Sequence, residues 1–225
     1  MFYKNKVCYG RLTLKNKIGY RKVMKMKKGN QANALNGKDL INIGIFTAIF
    51  VVLNVAVACT LGMIPIGFML LAFVTPIVTG IPIMLYYTRI KKFGMILIME
   101  IILGLVLLLT GMGYNGLILG IAFGLLGELI FKIGNYTSSK MAVLSYAVVS
   151  VAISANYIHW LSASKEWLSK KAISYGEVYI NSVSGFFDYN WIFPVLMLSA
   201  FVGGIIGALI GKSTLKKHFE RSGLL

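Results

Sequence analysis

Two carboxylic acids stand inside apolar sequence, and their placement asks most clearly for chemistry. Glu100 lies about seven residues into one apolar block, and Glu128 lies near the end of another, after Gly124 and Gly127. An ionisable residue at membrane depth is costly, so it is a functional candidate by default. Glu100 needs a partner from another segment, which the sequence does not identify. Glu128 has two readings: a coupling role, or an end position from which it snorkels to the interface or pairs with Lys132 at i,i+4. The rest of the catalytic inventory is thin. There is no Walker-type phosphate loop and no H-E-x-x-H, so the chain is not expected to hydrolyse ATP itself or to work as a zinc protease. His159 and His218 are the only histidines. The topology below sets them on opposite sides of a bilayer, which leaves no His-based metal centre. No Ser/His/Asp arrangement can be argued. The chain is therefore read as a non-enzyme with no cofactor and no metal. The connector Thr110-Gly111-Met112-Gly113-Tyr114-Asn115-Gly116 combines backbone freedom with a stacking face and an amide. It reads as a ligand-contact loop or as an ordinary tight turn.

The elements that must position these residues are membrane helices. Of 225 residues, 57% are hydrophobic and 13% charged, and the mean hydropathy is +0.76, beyond the range of ordinary soluble domains. Apolar runs of about twenty residues suffice to cross the ~30 Å hydrocarbon core, and in lipid they must be helical to satisfy their backbone polar groups. The expected fold class is all-α, a polytopic bundle of six transmembrane helices. The spans are placed at 40–61, 64–87, 93–110, 115–131, 141–161 and 191–211, within a membrane domain of residues 38–223. Pro76 is expected to kink or break the second span. Glu100 does not veto the third. Its cost of about 2.5–3.5 kcal/mol is outweighed by twelve Leu, Ile, Val or Phe residues at about 0.3–0.6 kcal/mol each.

Residues 1–37 are basic, lack apolar periodicity and are read as a disordered cytoplasmic tail; a start at Met24 or Met26 is an alternative reading. Placing the N-terminus inside puts twenty Lys and Arg on the inner side and three (Lys165, Lys170 and Lys171) on the outer side. That bias orients the chain with both termini cytoplasmic, in a bacterial cell membrane. It also accounts for the net charge of +16 without a nucleic-acid partner. Cys8 and Cys59 are not expected to form a disulfide. The outer loop 162–190 is longer than a connector requires. Trp160 and Trp191 suit an interfacial belt; a short interfacial helix is expected within Ser164 to Tyr179, and the loop is a candidate lid.

Small residues recur at helical spacing: Gly44 and Ala48; Gly120, Gly124 and Gly127; Gly203, Gly207 and Gly211. Such faces let helices approach closely. The latter two sets are expected to pack inside the bundle. For the first, an external partner is an equal reading.

Several stretches carry a family resemblance. Lys38-Asp39-Leu40-Ile41-Asn42-Ile43-Gly44-Ile45-Phe46-Thr47-Ala48 opens the first span, and Gly80-Ile81-Pro82 lies toward the end of the second. Lys92-Phe93-Gly94-Met95 and Leu109-Thr110-Gly111-Met112-Gly113 bound the third. The chain closes on Gly211-Lys212 and Lys216-Lys217-His218-Phe219-Glu220-Arg221-Ser222-Gly223. From Lys38 to Gly223 the chain resembles the Trep_Strep family of bacterial integral membrane proteins. In layout it is similar to the substrate-binding S components of energy-coupling factor (ECF) transporters. The resemblance implies capture of a small nutrient or vitamin-like molecule from outside, with a transmembrane coupling protein and two cytoplasmic ATPases as partners. It implies that Gly44 and Ala48 meet the coupling protein, Gly44 standing where an A-x-x-x-A pattern has alanine. It also implies a ligand in the outer half. Depth and chemistry then select Asn54, Tyr114, Asn115, Asn156, Tyr157, His159, Trp160, Tyr175, Glu177 and Tyr179 as candidate substrate contacts. Their aromatic and amide character favours a neutral, partly flat ligand. Two other readings stay open: a stand-alone proton-coupled carrier using Glu100 or Glu128, and an intramembrane enzyme, for which few polar groups meet at one depth.

Overall fold

The computed structural model describes residues 35–110, 113–161 and 163–221, with side chains as far as Lys216. The expectations for the basic tail, Met24, Met26, Cys8 and His218 lie outside the described side chains. Among the described residues there are helices and no strand: α1 (Gly37–Leu61), α2 (Pro65–Arg89), α3 (Met95–Leu109), α4 (Asn115–Ile133), α5 (Ser139–Ser150), a 3-10 segment (Val151–Tyr157), α6 (Ile158–Leu161), α7 (Lys165–Tyr175), α8 (Glu177–Phe186) and α9 (Ile192–Arg221).

Among the described residues, five helical stretches are long and apolar enough to cross a membrane: α1, α2, α4, the run Ser139–Leu161, and α9. The third expected span is shorter than the others. With 15 residues α3 extends about 22 Å at 1.5 Å per residue, less than the ~30 Å hydrocarbon core. It starts late because Gly94 takes a left-handed conformation (φ 95°), which suits a residue without Cβ.

Pro76 does not break α2, which runs unbroken through both Pro76 and Pro82. Neighbouring helices supply polar contacts at this point: the Tyr146 hydroxyl donates to the Pro76 carbonyl at 2.7 Å and meets the Thr79 hydroxyl at 2.8 Å.

α2 and α9 pack most closely, and their glycines explain why. A Cβ at Gly80 would fall on the backbone of Gly207, one at Gly203 on the Phe73 carbonyl, and one at Gly211 2.6 Å from the Gly80 oxygen. Gly104 against Leu117 and Gly127 against Val149 repeat this at the α3–α4 and α4–α5 contacts. The glycines of the fourth and sixth expected spans thus pack internally. By contrast, a Cβ at Gly44 would meet nothing within 4 Å, and Ala48 is exposed. Only Ile43, Thr47 and Val57 of α1 are buried.

Cross-bonds fix which helix ends lie together. Lys92 Nζ pairs with Asp39 Oδ2 at 2.7 Å, joining the start of α1 to the α2–α3 connector. At the opposite end Tyr179 donates to the Gly62 carbonyl at 2.6 Å, and Tyr157 to that of Phe68 at 2.9 Å. The long loop is therefore structured. It folds as two helices rather than one, broken at Gly176 (φ 87°), a conformation glycine adopts readily. α8 buries Ile180 and Val183, and Val183 joins a cluster with Met69, Tyr157, Phe187 and Leu196.

Candidate functional site

The 3-10 segment is the local departure that opens the site. Seven residues of 3-10 geometry exceed the usual three or four, and they interrupt what the sequence reads as one span. Ala152, Ile153 and Asn156 of this segment face a cavity of about 250 Å³, walled also by α1, α2, α3 and α5. Most of the wall is apolar, including Phe50, Leu103, Val106 and Ile153. Among the described residues, its polar groups are Asn54, Thr75, Thr79, Glu100, Thr110, Tyr146, Ser150 and Asn156, and no Lys, Arg or His lines it. Glu100, Thr79 and Tyr146 lie at mid-bundle, and Thr110, Gly116 and Asn156 mark the end beside the α3–α4 connector.

Most of these polar groups are already engaged. The Thr79 hydroxyl lies 2.8 Å from the Thr75 carbonyl, the Ser150 hydroxyl donates to the Tyr146 carbonyl, and Thr110 donates to the Leu107 carbonyl. Asn54 Nδ2 donates to the Phe50 carbonyl at 2.8 Å, leaving its oxygen free. Glu100 differs. It is 6% exposed, yet its carboxylate has no hydrogen bond or ion pair with any described residue. The glycine face of α4 allows this position. A Cβ at Gly124 would come 3.0 Å from Glu100 Cβ and Cγ, and one at Gly120 3.6 Å from its Oε2.

Glu128 is placed otherwise. It is fully buried and does not line the cavity. Its Oε2 accepts from the Ile96 amide at 2.8 Å and the Leu97 amide at 3.3 Å, and its Oε1 accepts from the Tyr136 hydroxyl at 3.0 Å. These amides belong to the first turn of α3, so Glu128 caps a neighbouring helix and sits at the positive end of its dipole. Neither snorkelling nor a pair with Lys132 describes it, and Lys132 Nζ lies 4.9 Å over the Phe93 ring. Asn135 (φ 50°) and Tyr136 (φ 56°) are left-handed, a conformation costing non-glycine residues about 1–2 kcal/mol each. This turn brings the Tyr136 phenol onto Glu128. Burial and then the nearby carboxylate raise the Tyr136 hydroxyl above the ordinary tyrosine range, so the phenol is the donor.

The chain has a recognisable kinship over this whole helical region. Residues 37–221 match the family described as hypothetical bacterial integral membrane protein (Trep_Strep). The chain belongs to the Trep_Strep family. It is accordingly a multi-pass integral membrane protein. No curated protein and no solved structure matches it.

Among the substrate-contact candidates of this Trep_Strep protein, Asn54 and Asn156 line the cavity. Asn115 and His159 meet each other instead, Nδ2 to Nε2 at 3.4 Å, and Tyr114 is exposed beside them. Tyr157 and Trp160 belong to an aromatic cluster with Phe68 and Phe187, apart from the cavity. Tyr175 stacks on Tyr179 at 6.0 Å, and Glu177 stands exposed in the first turn of α8. The cavity also holds groups the sequence reading did not single out: Thr75, Thr79, Tyr146, Ser150 and Thr110. Their signal was the i,i+4 spacing of Thr75 with Thr79 and of Tyr146 with Ser150, which puts each pair on one helix face.

Proposed function

We propose that this Trep_Strep protein is the substrate-specific binding subunit, or S component, of an ECF-type importer. It spans the membrane six times, α3 included, with both termini inside. It captures a small nutrient or vitamin-like molecule from outside, and a transmembrane coupling protein with two cytoplasmic ATPases drives uptake. The cavity with Asn54, Glu100 and Asn156 on its wall is the observation that carries this reading. Concave, mostly apolar sites with a few placed polar groups are where small molecules bind. The lack of an ATP-binding motif fits a subunit energised by others. The bare face of α1 at Gly44 and Ala48 offers a close-packing surface to a coupling protein.

A tagged chain, co-expressed with the coupling protein and ATPases of its own genome, is expected to bring them down in mild detergent. Gly44→Leu combined with Ala48→Leu is expected to cut that recovery at least roughly ten-fold, since bulky side chains block close helix approach. The thermal midpoint should stay unchanged, because neither position carries an internal contact. Wild-type protein that never recovers these partners contradicts the reading.

The unpaired Glu100 favours one second reading, a stand-alone carrier in which this carboxyl carries the coupling proton. Uptake by the chain alone, lost in Glu100→Gln, would select it. Glu128, the other acid of that reading, is bonded to the first turn of α3 and to Tyr136.

A further inference from the structure

We propose that the cavity takes a compact organic cation, its positive charge set against Glu100 and its apolar body against Phe50, Leu103, Val106 and Ile153. The inference rests on the binding-subunit reading only in using the same cavity.

Among the described residues, Glu100 is the one acid or base on the cavity wall. It is more than nine-tenths buried, faces the free volume and has no partner among the described residues. An intramembrane acid normally pairs with another side chain or with backbone, or faces a watery path, and Glu128 shows how this fold satisfies one when the role is structural. Glu100 receives no such donors. None of the described residues completes it, and a cation in the cavity would. No Lys, Arg or His among the described residues lines the wall to hold an anion, and a carboxylate would repel one.

Size and the remaining polar groups narrow the class. A volume of about 250 Å³ lies below the ~300–1,000 Å³ of sites for drug-sized ligands, so the occupant is small. The free Asn54 oxygen and the Asn156 amide, which has no hydrogen bond to a described residue, suit one or two polar substituents away from the charge. The aromatic candidates for a flat neutral ring, Tyr157, Trp160 and Tyr179, are packed or bonded away from the cavity, and of the wall's own aromatics Tyr146 is bonded to the Pro76 carbonyl.

The test uses the full chain in lipid nanodiscs with two probes of equal shape: choline, and 3,3-dimethylbutan-1-ol, in which carbon replaces the charged nitrogen. Choline is expected to raise the thermal midpoint in a saturable way, and the alcohol at least roughly ten-fold less effectively, as the uncharged isostere leaves a buried charge unpaired. Glu100→Gln should weaken the choline response by roughly 30-fold or more, the scale of removing one partner of a buried charge pair. The alcohol response should strengthen in the same variant, because the charge it leaves unpaired is gone. Glu100→Asp, which keeps the charge, should retain the preference for choline, and this separates lost charge from damaged folding. The proposal is overturned if the alcohol matches choline on wild-type protein, if Glu100→Gln leaves the choline response intact, or if choline has no saturable effect at any soluble concentration. Partner recovery is a separate measurement. Loss of cation preference with partners still recovered overturns this inference alone, and the converse result overturns the importer reading alone.

Discussion

Gly80→Leu is expected to abolish the folded protein, recovered as loss of the monodisperse peak in mild detergent. On helix propensity alone the exchange would help, since glycine is about 1 kcal/mol worse than alanine or leucine in a helix interior. Packing decides the sign. A Cβ at Gly80 coincides with the Gly207 backbone, and backbone cannot swing aside as a flexible side chain can. Overpacking a well-packed contact costs about 1–3 kcal/mol and occasionally more; a whole leucine here must push α2 and α9 apart along their closest line. Gly80→Ala should already lower stability by about 2 kcal/mol or more, after subtracting the propensity gain. Gly44→Leu is the internal control, because open space surrounds it, and it should leave the thermal midpoint within the ordinary range of surface substitutions.

Glu128→Ala has the second large expected effect, a loss of about 3–5 kcal/mol. Removing the carboxylate strands the Ile96 amide, which is buried, together with the Leu97 amide and the Tyr136 hydroxyl. A buried donor left without an acceptor costs about 1–3 kcal/mol, and the strained turn at Asn135 and Tyr136 loses one of the contacts that hold it. Glu128→Gln keeps one acceptor oxygen but turns an amide donor toward other donors, so an intermediate loss of about 1–3 kcal/mol is expected. Thermal unfolding in detergent measures both. Choline binding by Glu128→Gln should match wild type, since Glu128 lies off the cavity wall. Abolished binding with an unchanged thermal midpoint would return Glu128 to a functional role.

Sequence reading succeeded where one constraint dominates and stopped where tertiary contact decides. The apolar blocks from Leu40 to Gly211 are legible because lipid tolerates only helix in them, and their boundaries fall within a few residues of α1, α2, α4 and Ser139–Leu161. α9 runs further, to Arg221, because helical backbone continues past the apolar run into a basic segment where hydropathy gives no signal. Glu100 and Glu128 look alike as isolated acids in apolar runs. What separates them is the first turn of α3, which sits against one and not the other, and no local pattern encodes that. The cavity was legible in Asn54 and Asn156, polar residues within apolar spans. It was not legible in Thr79, Tyr146 or Ser150, whose hydroxyls look like ordinary back-bonding groups until α2 and α5 are brought together. The 3-10 run from Val151 to Tyr157 carries no compositional signal, whereas the break at Gly176 falls on a glycine with positive φ.

Capture from outside requires a cavity reached from the side opposite the basic helix ends, and cysteine accessibility in intact cells measures this directly. In a chain with Cys8 and Cys59 replaced by serine, Asn156→Cys, Lys165→Cys and Lys91→Cys are each treated with a membrane-impermeant maleimide. The first two should label from outside, and Lys91→Cys only after the membrane is opened. Labelling of Lys91→Cys and Lys165→Cys from the same side, or of Asn156→Cys only from the cytoplasm, would contradict the capture of a ligand from outside.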